Sequence, residues 1–64
     1  MKLSADTITD EQIRKLVDAS RQALDFETYR IAQTALEDDR YTGGISSAAR
    51  ARCAEILNAR GDAQ

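Results

Sequence analysis

The sequence predicts an all-α protein, a small three-helix bundle. Three observations lead there. Residues 1–42 contain neither proline nor glycine, the two strongest breakers of regular structure. Ala, Leu, Glu, Gln and Arg dominate, and no β-branched run or period-two alternation competes with them, which is helix chemistry. Capping signals and three apolar stripes then divide the chain into helices near residues 9–23, 26–39 and 46–60.

The first helix opens at Thr9-Asp10-Glu11-Gln12. This is a capping box, in which the Thr9 hydroxyl accepts from the Gln12 amide and the Gln12 side chain reaches back. Ile8 and Ile13 take the positions of a hydrophobic staple, and Asp10 and Glu11 sit where the helix dipole favours acids. Ile13, Leu16, Val17, Ser20 and Leu24 then follow one buried stripe. A second start falls at Asp25, with Leu24 and Tyr29 as its staple pair. On one unbroken helix Phe26, Tyr29 and Leu36 would point away from the first stripe, so a break at Asp25 is expected. The competing arrangement is a single long helix with two apolar faces, which would need a partner chain.

The second helix is expected to end in Glu37-Asp38-Asp39-Arg40, and Tyr41-Thr42-Gly43-Gly44 to form a flexible connection. Ser46 or Ser47 should cap the third helix. Its stripe is Ala49, Cys53, Ile56 and Leu57, and Gly61 stands at its end. The expected core is Ile13, Leu16, Val17, Leu24, Tyr29, Leu36, Ile56 and Leu57. Residues 1–7 and 62–64 should fray around this single domain.

Sixty-four residues make one domain with a thin core. Eleven residues are alanine, and only twelve are Ile, Leu, Val or Phe. Small scaffolds often compensate for so little apolar bulk by oligomerising, so a homodimer is expected. Nine basic residues stand against eleven acidic ones, a net charge of −2. That balance lacks the basic excess on which nucleic-acid binders depend. It still leaves one rival, a helix-turn-helix regulator with Ser46, Ser47 and Arg50 at the start of a recognition helix. The first residues reach Asp6 before any apolar run, and no membrane-length apolar stretch follows. A cytoplasmic protein is therefore expected.

The chain has no histidine and one cysteine. Ser/His and Cys/His catalysis cannot be built within it, nor can a cysteine cluster hold a metal. Gly43-Gly44 lacks the framing and lysine of a phosphate-binding loop. No catalytic, metal-binding or cofactor-binding residues are assigned, and no enzymatic activity is expected. Cys53 reads as a small hydrophobe within a stripe; its alternative is a redox or disulfide-linked dimer site. The acids Glu37, Asp38 and Asp39 oppose the dipole at a helix C-terminus. Tyr41 stands beside two glycines as a loop aromatic that either contacts a partner or folds back over the core. With Arg50 on the adjoining helix start, these five residues are the expected partner-binding set.

Several stretches resemble a loose class of short helical accessory proteins encoded by bacterial phages, prophages and plasmids. They are Ile8-Thr9-Asp10-Glu11-Gln12-Ile13-Arg14-Lys15-Leu16, the acid Asp25, Ala35-Leu36-Glu37-Asp38, and Ala49-Arg50-Ala51-Arg52-Cys53-Ala54-Glu55-Ile56-Leu57. The resemblance implies no activity. It implies an accessory protein that binds and modulates a larger bacterial protein, such as a defence or regulatory factor.

Overall fold

The computed structural model describes residues 2–61. Its elements are α1 (Asp10–Gln22), α2 (Phe26–Ala35), the one-turn α3 (Asp39–Thr42) and α4 (Ile45–Arg60). It is an all-α small bundle in which α2 packs against both α1 and α4, while α1 and α4 touch far less.

The start of α1 follows from its residues. Gln12 N donates to Thr9 Oγ1 at 3.1 Å, and Thr9 N donates to Gln12 Oε1 at 2.8 Å, closing the capping box. Ile8 and Ile13, the staple pair, are both buried. Ser20 is buried as well. Its hydroxyl turns back to the Leu16 carbonyl at 2.6 Å and so carries no unmet hydrogen bond into the core.

The break between α1 and α2 is real, and its geometry is unusual. Asp25 N donates to Ser20 O, and Leu24 N donates to Arg21 O. These two bonds form a Schellman closure, which needs a left-handed residue at the position of Leu24. Leu24 adopts φ 58°, the only positive φ outside glycine among the described residues. Asp25 then caps α2 by accepting from Thr28 N at 3.3 Å.

The core differs from the expected one in composition. Ile13, Leu16 and Leu57 are buried as expected, and Val17 and Ile56 pack partly buried against them. Leu24 is 70% exposed and Leu36 is 37% exposed. Both lie past the last residue of a helix, so the helical phase that placed them on a stripe no longer applies. Tyr29 is only half-buried. The vacated positions are taken by Ile8, Ala32, Ala35, Ala49, Cys53 and Ala54. The buried face of α2 is Thr28, Ala32 and Ala35, small enough to let the flanking helices come close.

Met1 lies outside the described residues, and from Leu3 onward the N-terminal segment, expected to fray, is held by defined contacts. Asn58 clips it to α4: its Oδ1 accepts from Leu3 N at 2.9 Å, and its Nδ2 donates to Leu3 O at 2.9 Å. Ser4 O accepts from Thr7 N and Ile8 N, and Leu3 packs on the core. Residues 62–64, also expected to fray, lie outside the described residues.

The region from Leu36 to Gly44 departs most from expectation. The second helix stops at Ala35 rather than near residue 39, and the connection read as flexible contains α3. Acids disfavour a helix C-terminus and favour an N-terminus. The chain leaves α2 before Asp38, which then caps α3 by accepting from Arg40 N at 2.9 Å. Gly43 and Gly44 follow with φ 62° and 95°, a pair of left-handed residues that reverses the chain into α4.

Leu24→Gly tests the strain at the first break. The exposed side chain loses little burial, while glycine adopts the left-handed region freely. The substitution should raise stability by about 1 kcal/mol. For a domain of this size that is a melting-temperature rise of roughly 4–8 °C, measured by circular dichroism.

Candidate interaction surface

Two corners of the molecule carry the large apolar side chains left outside the core. One is the α1–α2 corner, with Leu24 and with Phe26 at 66% exposure. The other is the α2–α4 corner, with Tyr41 at 87% and Ile45 at 62%, while Leu36 lines a depression between α1 and α2.

The α2–α4 corner is built on Asp39. Its Oδ1 accepts from Ser46 Oγ at 2.8 Å, from Ser47 N at 3.3 Å and from Thr42 Oγ1 at 3.4 Å. Thr42 Oγ1 in turn accepts from Ser46 N at 3.1 Å. The first amides of α4 are therefore satisfied from α3. Neither Ser46 nor Ser47 is the cap; the N-cap residue is Gly44, which has no side chain to offer. Ser46, bonded so, is buried. The hydrogen bond from Ser46 leads the interactions that hold the Asp39 carboxyl below the ordinary aspartate range. Asp38 pairs with Arg40 at 2.8 Å, and hydrogen bonding from the Arg40 side chain lowers its pKa in the same way. Asp25 at the other corner is lowered first by Thr28 hydrogen bonding, with the Arg60 charge assisting.

The five residues expected to contact a partner therefore separate. Tyr41 is an exposed aromatic and does not fold back over the core. It rides on a turn fixed by Asp38 and Asp39 rather than on a flexible loop. Glu37 is exposed beside it. Asp38 and Asp39 have folding roles that the sequence reading did not give them. Arg50 has one too. Its guanidinium donates to Ala35 O and Ile8 O, both at 3.2 Å, and pairs with Asp10 Oδ1 at 2.9 Å. It joins the end of α2, the start of α1 and α4 at once, with only 26% of its side chain exposed. Asp38, Asp39 and Arg50, assigned to partner contact from the sequence, thus also carry contacts within the fold.

Sequence reasoning also missed residues. Leu24, Phe26 and Ile45 were placed in the core or passed over. The one available signal was the order Leu24-Asp25: a residue just before a capping acid and just after a helix end sits in the turn, not on the stripe.

Cys53 is fully buried, and burial pushes its thiol up, with the nearby Arg50 charge opposing. It packs as a core hydrophobe and is not placed to form an intermolecular disulfide. Among the described residues, no helix is long and apolar enough to cross a membrane. In comparisons with known proteins, no family model, no curated protein and no solved structure matches the chain.

The three lowered aspartates make stability depend on acid. A carboxyl whose folded pKa is depressed stabilises the fold above its ordinary value of 3.8. That contribution disappears as pH falls through the folded value. The melting temperature should thus hold steady from about pH 7 to pH 5 and fall below about pH 4. Asp39→Ala should lower it at neutral pH and flatten the acid limb, as followed by thermal melts across the series.

Proposed function

We propose that the chain is a non-enzymatic protein-interaction module that binds and modulates a larger bacterial protein, a defence or regulatory factor. We further propose that it is encoded by a phage or another mobile element and acts in the host cytoplasm. The observation that carries the binding role is Tyr41, 87% exposed on a turn held by the Asp38 and Asp39 hydrogen bonds. An aromatic presented on a fixed turn loses little conformational freedom on binding, which is what an interface anchor requires. Ile45 and Glu37 extend this surface, the one apolar and the other acidic. Acidic rim residues act mainly on association rate. The mobile-element origin rests on the sequence resemblance alone.

The rival nucleic-acid reading needs bases at the start of α4. Arg50 is occupied inside the fold, and Arg52 pairs with Glu55 at 2.9 Å. This favours the protein partner.

Self-association belongs to the same proposal. Among the described residues, five large apolar side chains are at least a third exposed while the core is short of such groups. Light scattering at high micromolar concentration should give the mass of a dimer; a monomer would contradict it.

The binding role is tested by affinity capture from bacterial lysate with the wild-type chain and Tyr41→Ala side by side. The variant should bind the recovered protein more weakly by about 1–2 kcal/mol, with an unchanged melting temperature. Full-strength binding by a Tyr41→Ala, Ile45→Ser double variant defeats the assignment. Tight, salt-sensitive binding of the wild type to duplex DNA would favour the regulator instead.

A further inference from the structure

Where α1 and α4 diverge they leave a groove of about 320 Å³, lined by Gln12, Lys15, Leu16, Ala19, Leu57 and Arg60. Its chemistry differs from that of two other surface depressions. The depression between α1 and α2 mixes Arg14 with Asp18 and Glu37, and the one beside Phe26 mixes Glu27 with Arg30. The α1–α4 groove has two cations and no carboxylate in its lining, although the chain carries a net charge of −2.

Each polar group on the rim can donate. Gln12 Oε1 is already committed to Thr9 N at 2.8 Å, so its amide NH2 is what the side chain can offer a ligand. Lys15 lies 3.8 Å from Glu11 and Arg60 lies 3.7 Å from Asp25. Both separations exceed hydrogen-bond length, and both pairs are well exposed, so they hold their cations weakly. Between the donors lies an apolar floor of Leu16, Ala19 and Leu57. Leu16 and Leu57 are nearly buried, at 2% and 8%, and Ala19 is exposed, so the open part of the floor is mostly Ala19 and forms a shallow trough. A small carboxylate is normally enclosed over most of its surface, which a shallow trough does not provide. An extended or helical segment laid along two helices needs no such enclosure.

We propose that this groove docks an acidic segment of a partner protein. One apolar side chain of that segment would rest on Leu16, Ala19 and Leu57, with carboxylates on either side meeting Lys15 and Arg60. The inference rests on the reading of the chain as a binding module and adds a second contact with its own partner chemistry. It does not depend on Tyr41.

The test titrates the full-length isotope-labelled chain with a synthetic peptide of alternating glutamate and leucine, followed by amide NMR shifts. Saturable shifts are expected at Gln12, Lys15, Ala19, Leu57 and Arg60. Affinity should fall about tenfold in a Lys15→Glu, Arg60→Glu double variant, and added salt should weaken it. The milder Lys15→Gln, Arg60→Gln pair should give a smaller loss with an unchanged melting temperature, which separates binding from folding. Tyr41→Ala should bind this peptide as the wild type does, so failure of the groove and failure of the Tyr41 surface are read separately. Three results would overturn the proposal: no shifts at the groove, equal shifts with a lysine–leucine peptide, or charge-reversed chain that binds undiminished. Equal shifts with N-acetyl-leucine at the same concentration would also overturn it, by showing a small-carboxylate site.

Discussion

Close approach of helix backbones through alanine is the constraint on which the rest of this fold depends. Ala32 and Ala35 on α2 are fully buried, and Ala49 and Ala54 on α4 nearly so. A methyl group buries far less apolar area than a leucine, so each such contact contributes less than the roughly 1.5–3 kcal/mol of a large aliphatic residue. In exchange it permits dense packing with little side-chain entropy to lose. With α2 this slim, one short helix can serve as the common neighbour of α1 and α4.

Polar clips supply what so small an apolar core cannot. Arg50 spans three elements from one guanidinium, Asn58 fastens the N-terminal segment through both of its amide atoms, and Asp39 satisfies the opening turn of α4. Each joins residues that are distant in sequence or belong to different elements. Each ends on at least one backbone group, and Ala35 O for Arg50 and Ser47 N for Asp39 are groups that helix termini leave without partners. Charge placement and fold are therefore one problem here. The three lowered aspartates each lie at or beside a helix start, where hydrogen bonds from neighbouring side chains and backbone amides favour the ionised form.

This explains which parts were legible in the sequence. Capping at Thr9, the restart at Asp25 and the glycine end at Gly61 depend on neighbours within five residues, and they are found where the residue order puts them. The acids at 37–39 were misread because their meaning depends on which side of a helix boundary they fall. Boundaries are set by tertiary packing as well as by local preference. Arg50 was misread for a related reason. Its partners, Ile8 and Ala35, lie 42 and 15 residues away, and no local pattern announces such a contact. For Tyr41 the residue order left two readings open, folded back over the core or exposed, and its 87% exposure decides between them.

Leu24 is a residue whose placement folding alone does not account for. A chain short of large apolar groups gains most by burying those it has, yet Leu24, Phe26, Tyr41 and Ile45 all lie mostly in solvent. At Leu24 the cost is doubled, because the backbone is left-handed where glycine would fit without strain. Folding alone therefore favours glycine at this position. A leucine kept beside Phe26, on a corner fixed by the Asp25 cap, is a local rule broken without a compensating gain inside the fold. Such breaks concentrate where a sequence serves a contact outside itself. Alanines on α2 and α4 thus pack with Ile8, Ile13, Leu16 and Leu57 to hold the helices together, while Leu24, Phe26, Tyr41 and Ile45 are left largely in solvent.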